Sequence, residues 1–142
     1  MDTYTLDTSV IIKWFNQENE SKVEIAHKIY EDMLDDKIIL TAPSLLTIEL
    51  VNALKKGKKM LAPAIKEIIK NLFSIPIIIK EPTQAVLEQT AEIMEIYQIA
   101  AYDALFVAAA KDSECQLISD DVKSHGKIND GSVVMLEDYK SP

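Results

Sequence analysis

Residues 102–121 read YDALFVAAAKDSECQLISDD, and this stretch decides the fold. Tyr102 to Asp112 is alanine-rich and apolar nearly all round, the pattern of a buried helix. Gln116-Leu117-Ile118-Ser119 follows as a short apolar run of strand length. The same alternation extends outward. Toward the start, Tyr4 to Leu6 reads as a buried strand ending at Asp7, and helices are expected over Ser9 to Gln17 and Val23 to Leu34. Ile38 to Thr41 is a second strand. Ala42-Pro43-Ser44 is expected to open the next helix, because proline suits a first helical turn. That helix should run to about Lys56, with Gly57 as its stop. A helix over Pro63 to Phe73, the β-branched run Ile77 to Ile79, a helix over Gln84 to Tyr97 and a last strand over Val133 to Leu136 complete the reading. Short apolar strands alternating with helices predict an α/β fold with a mainly parallel sheet and right-handed crossovers. No repeat or linker divides the chain, so a single domain over residues 1–142 is expected.

A chain of this size can bury roughly 68–70% of its unfolded surface. Its 48% hydrophobic content is ordinary for a globular protein. The longest apolar runs, such as Ala104 to Ala110, fall short of the roughly 18 residues a spanning helix needs, so no membrane association is expected. Met1-Asp2-Thr3 begins no export signal, and the single cysteine, Cys115, forms no internal disulfide. Both fit a cytoplasmic location. The net charge of −8, from 15 basic and 23 acidic residues, taken alone argues against a nucleic-acid binder, whose affinity comes from Lys and Arg meeting phosphates. That objection weakens if part of the acidity is gathered around bound cations, which reverse the local field.

The positions of the acids suggest such a gathering. Ligands of open parallel sheets bind beyond the carboxyl ends of the strands. Asp7 follows the first strand directly, and Asp120 and Asp121 follow Gln116 to Ser119. Glu49 lies about two turns into the helix after the second strand. Asp103 is in the first turn of its helix and reaches the same edge if the fold returns that helix start there. Each acid also has an ordinary reading. Asp7-Thr8-Ser9 suits a helix N-cap, Asp103 complements a helix dipole, and Asp120-Asp121 suits a turn. Yet Asp103 aligns with Val107 and Ala110 on a helix expected to be buried. Glu49 falls between Leu45 and Ala53 on an apolar stripe, with Asn52 on the neighbouring row. Carboxylates about 5 Å apart repel by roughly 3 kcal/mol at an effective dielectric of about 20, so a cluster needs protons or cations. Oxygen-only ligands suit Mg2+ or Mn2+. His27 and His125 have no metal-ligand spacing to each other and read as surface or packing residues.

These residues match a known pattern. The chain resembles a PIN-domain ribonuclease, and its size and layout are most similar to the VapC-type toxins of toxin–antitoxin pairs. The resemblance runs from Leu6-Asp7-Thr8-Ser9, through Ile48-Glu49-Leu50-Val51-Asn52 and Tyr102-Asp103-Ala104-Leu105, to Leu117-Ile118-Ser119-Asp120-Asp121. It implies a three-layer α/β/α fold and a catalytic, metal-holding set of Asp7, Glu49, Asp103 and Asp121. Thr8, Ser9, Asn52, Ser119 and Asp120 would support that set. The hydroxyl–any–acid register of the last motif selects Asp121, where the residues alone leave Asp120 equally open. The resemblance further implies Mg2+- or Mn2+-dependent hydrolysis of RNA, leaving a 5′-phosphate and a 3′-hydroxyl. It implies a homodimer and a small antitoxin protein as partner. An RNA-processing nuclease outside a toxin pair shares the same four acids. An aspartate-nucleophile phosphatase would need a second acid where Ser9 stands. A Mg2+-binding receiver-like module would need an acidic pair near the first strand, and Asp2 is too far from Asp7 to supply it. Lys55, Lys56, Lys58 and Lys59 form the densest basic cluster, readable as a helix C-terminus or as a grip on RNA backbone. Trp14 and Phe15 read as core or dimer contacts.

Overall fold

The computed structural model describes residues 1–142. Five strands form one sheet: β1 (Asp2–Leu6), β2 (Ile38–Pro43), β3 (Ile78–Lys80), β4 (Gln116–Ser119) and β5 (Val133–Met135). Their order across the sheet is β3-β2-β1-β4-β5, and every neighbouring pair is parallel. The helices are α1 (Thr8–Phe15), α2 (Val23–Leu34), α3 (Leu45–Asn52), α4 (Ala62–Leu72), α5 (Gln84–Tyr97) and α6 (Ala101–Asp112).

Successive strand residues face opposite sides of a sheet. Thr5 and Leu6 of β1, and Leu117, Ile118 and Ser119 of β4, are all fully buried, so both faces are covered. α6 packs on β1 and β2 with α5 against it, while α1 packs on α2 and β4 and α2 on β2. The result is three layers, α/β/α, around one cluster of 30 buried apolar residues. No single helix is long and apolar enough to cross a membrane. After β1 the chain steps outward through β2 to β3, then returns to the other side of β1 for β4 and β5. Strand order therefore reverses at β1/β4, and a crevice opens at the carboxyl ends of the strands beside such a reversal.

Several boundaries fall where the sequence puts them: Val23–Leu34, Gln84–Tyr97 and Gln116–Ser119. Others need correction. Ala42 and Pro43 end β2 and do not open the next helix. Pro43 has no N–H to give, and the adjacent Ser44 N–H donates to the Lys80 carbonyl at 2.9 Å. α3 stops at Asn52 and gives way to a π-helical turn over Ala53–Gly57, where Lys58 N–H reaches the Ala53 carbonyl at 2.9 Å. Gly57 is not the left-handed stop; Lys59, at φ 58°, takes that conformation. α1 ends at Phe15 because Asn16 is extended and its Oδ1 accepts from Glu18 N–H at 3.0 Å, a local bond that competes with the helix. Ile77 lies outside β3, its N–H turned back to the Ile75 carbonyl at 2.9 Å.

Candidate active site

Asp7 is the last residue before α1, and its extended backbone turns the chain from strand to helix. Its Oδ2 accepts from Ser9 N–H at 3.1 Å and from the Ser9 hydroxyl at 2.6 Å. Asp7 is thus the N-cap of α1, as one reading of the sequence had it, and it also lines a cleft of about 310 Å3 at the carboxyl edge of the sheet. Glu49, Asp103 and Asp121 line the same cleft, with Thr8, Ser9 and Asn52. Glu49 arrives on α3 and accepts the Thr8 hydroxyl at 2.7 Å. Asp103 sits in the first turn of α6. Asp121 follows β4, donates its N–H to Ser119 Oγ at 3.0 Å and accepts Ser124 N–H at 3.1 Å.

Four segments distant in sequence therefore bring Asp7, Glu49, Asp103 and Asp121 to one concavity, and no lysine lines it. The electrostatics follow. Burial pushes the Asp7 carboxyl above its usual range and Asp121 adds to this, while His125 and the Ser9 donors pull back without reversing it. Burial also raises Glu49; the Thr8 hydrogen bond opposes this, and the charges of Asp7 and Asp103 reinforce it. Negative charge is confined here at a cost to the fold.

The structure separates the adjacent aspartates. Asp121 lines the cleft, whereas the Asp120 carboxylate is 3.0 Å from Lys13 Nζ and 3.2 Å from Lys22 Nζ. Sequence reasoning missed two residues beside the site. His125, read as surface or packing, is fully buried. Its Nε2 is 2.9 Å from the Asp103 carbonyl, which can only accept, so that nitrogen carries the hydrogen. In the neutral ring Nδ1 then accepts the Ser119 hydroxyl at 2.6 Å, and it lies 3.9 Å from Asp7 Oδ2. His125 so ties the start of α6 to the end of β4. No sequence signal marked it. Lys13 is the other, and its signal was present: it is the one charged residue in Val10-Ile11-Ile12-Lys13-Trp14-Phe15. Lys58, read with the basic cluster, pairs with Glu20 at 2.7 Å.

A divalent cation suits the donors that line the cleft. They are carboxylate, hydroxyl and amide oxygens, the preference of Mg2+ and Mn2+, and the raised carboxyls are those a cation would neutralise. No group of three or more His, Cys, Asp or Glu side chains is drawn into a closed ligand cage. Ser9, Thr8 and Ser124 each hydrogen-bond one of these carboxylates. Mg2+ fits such a site, because it keeps several waters and uses only one or two carboxylates. A groove of about 600 Å3, roughly twice the volume of this cleft, lies elsewhere, between Trp14, Phe15, Tyr30 and Ile75, with Glu31 its only acid. Chemistry, not size, marks the site.

Residues 4–127 match the PIN domain family. A search of curated proteins found no match. Among solved structures, a toxin–antitoxin complex from Klebsiella pneumoniae superposes with a TM-score of 0.65 at 17% identity, over 94% of this chain and 97% of that one. DNA-bound VapBC from Salmonella typhimurium gives 0.69 at 15% identity, over 96% and 99%. The sarcin–ricin-loop-cleaving toxin VapC20 of Mycobacterium tuberculosis gives 0.64 at 15% identity, over 80% and 85%. At these identities the likeness is one of fold.

Proposed function

The chain belongs to the PIN domain family, and from that premise we propose that it is a divalent-metal-dependent endoribonuclease, the toxin of a VapBC-type toxin–antitoxin pair. The observation that carries this reading is the convergence of Asp7, Glu49, Asp103 and Asp121 on one cleft whose polar lining is all oxygen and amide. Asp7 and Asp103 would hold Mg2+ or Mn2+, with Glu49 and Asp121 completing the site directly or through water. A cation bound there acidifies a water and offsets charge on a phosphate.

The chain's own groups prepare the cleft. Ser9 orients Asp7 through its N–H and its hydroxyl. Thr8 orients Glu49. His125 holds the Asp103 backbone against β4. Asn52 is exposed at the cleft wall with an amide to offer a phosphate oxygen. Water adds across the P–O3′ bond: the hydroxyl goes to phosphorus and the proton to the leaving 3′ oxygen. The products are a 5′-phosphate and a 3′-hydroxyl.

The antitoxin belongs to the same reading. The neighbours include toxin–antitoxin complexes, and the 600 Å3 groove between α1 and α2, lined by Trp14, Phe15, Tyr30, Leu34 and Ile75, offers an apolar partner segment a seat. A homodimer is proposed as well; Ile48, Leu61, Phe73 and Ile96, each more than two-thirds exposed, supply apolar surface. Sedimentation showing only monomer at high concentration would remove the dimer from the proposal. The function is tested by end-sequencing of total RNA after incubation with the purified protein, with Mn2+, with chelator, and with Asp103→Asn. Metal-dependent 5′-phosphate ends absent from the variant are expected. Equal cleavage by the variant would overturn the site assignment, and no new ends in Mn2+ would overturn the nuclease.

A further inference from the structure

Lys13 heads the fully buried side chains by volume, with 2% of its side chain exposed. A lysine in that position must have its charge met. Its ammonium donates to Glu20 Oε1 at 2.9 Å and to the Ser21 carbonyl at 2.8 Å, and lies 3.0 Å from Asp120 Oδ2. Three donors thus find three oxygens. Each carboxylate also holds a second lysine: Lys58 is 2.7 Å from Glu20 and Lys22 is 3.2 Å from Asp120. Burial pulls the Lys13 pKa down, but the bonds and charges of Glu20 and Asp120 outweigh it and leave it above its usual value. The ammonium stays charged.

This array could serve only to fasten the loop between α1 and α2. Its connection to the cleft says more. The Asp120 N–H donates to Ser9 Oγ at 2.9 Å, and the Ser9 hydroxyl donates to Asp7 Oδ2 at 2.6 Å. The next residue is Asp121, whose side chain lines the cleft. Of the two neighbouring aspartates the second lines the cleft, and a buried cation pairs with the first. We propose that Lys13 is a positioning residue: by binding the Asp120 carboxylate it commits Asp121 to the cleft and, through Asp120 N–H and Ser9, fixes Asp7. The inference rests on the reading of the cleft as a divalent-cation site.

Simple electrostatics and positioning predict opposite signs. Removing a positive charge beside an acidic cleft strengthens its attraction for a cation, whereas loss of position weakens it. The test is Mn2+ binding to the purified protein, read by electron paramagnetic resonance of the free ion, with amide hydrogen exchange on the metal-free protein. Lys13→Met is expected to raise the Mn2+ Kd at least tenfold. It should speed exchange of the Asp120 and Asp121 amides at least tenfold while leaving Leu117 protected. Lys22→Met, which removes a charge from the same array but leaves Lys13 in place, should bind Mn2+ as tightly as wild type or tighter. If Lys13→Met fails to fold, the charge-balanced Lys13→Met/Glu20→Gln protein takes its place with the same expectations. A folded Lys13 variant that binds Mn2+ as tightly as wild type, or keeps both amides protected, overturns the proposal. Wild type that binds no Mn2+ overturns the metal reading instead, and amide exchange then decides the role of Lys13.

Discussion

Asparagine in place of Asp7 is expected to stabilise the metal-free protein while ending catalysis. Asp7 is 6% exposed, and burial, with Asp121 adding to it, raises its carboxyl pKa despite His125 and Ser9. A group whose folded pKa is raised contributes stability below its unfolded pKa and loses it as pH rises through the folded value. Above the unfolded value, and so at pH 7, the raised pKa of Asp7 therefore opposes folding. Asparagine is nearly isosteric and caps a helix as well as aspartate does, so the Ser9 N–H bond to the capping oxygen survives. The size follows from opposing terms. Burying an ionised carboxyl costs several kcal/mol even after the site relaxes, and the charge of Asp121 adds to it. The two Ser9 donors return roughly 1.5–3 kcal/mol each. Because the folded pKa is raised, burial outweighs the donors, and a net gain of about 1 kcal/mol is expected, or about 3 °C in Tm for a chain of this length. The assay is thermal melting in chelator and in Mn2+. In chelator the variant should melt above wild type. With Mn2+ at about 100 times its Kd, wild type should gain roughly 2.7 kcal/mol and overtake it. A variant that melts below wild type in chelator refutes the argument that Asp7 carries uncompensated charge. Mn2+ that stabilises both proteins equally refutes its role as a ligand.

Two further outcomes concern stability away from the cleft. The Tyr139 hydroxyl donates to Asp32 Oδ2 at 2.6 Å, and Asp32 is fully buried. Tyr139→Phe strips that oxygen of its donor and should cost about 1–3 kcal/mol, read as a lower urea midpoint with unchanged slope; an unmoved midpoint would count against the bond. Lys111 lies 2.6 Å from Asp130, and with the Ser132 donors it outweighs partial burial to hold that carboxyl down to about 2. A depressed pKa gives stability that is present above the unfolded value near 3.8 and lost as pH falls through the folded one. Asp130→Asn should therefore cost about 1 kcal/mol at neutral pH, allowing for solvent screening. The difference from wild type should fade between about pH 4 and pH 2; a difference that does not change with pH would exclude the ion pair as its source.

The sequence by itself determined the alternation of elements, because burial on a helix or strand leaves a periodic trace in local residues. α2, α5 and β4 were legible to the residue for that reason. It also placed Asp7 and the Asp120-Asp121 pair at the ends of strands, and a parallel sheet sends those ends to one edge. The local boundaries it missed were set by single hydrogen bonds that leave no periodic trace, such as Asn16 Oδ1 to Glu18 and Ser44 N–H to the Lys80 carbonyl.

Tertiary structure decided the rest. Whether Asp103 reaches that edge depends on how α6 packs across β1 and β2. His125 joins Asp103 across 22 positions, and Ser119 stands beside Asp7 across 112. Asp121 lines the cleft, while Asp120 pairs with a lysine more than a hundred residues upstream, whose Nζ is 3.0 Å away. Periodicity records how deeply a side chain is buried. It does not record which distant oxygen meets a buried charge, and that pairing is fixed only when α1 closes against β4.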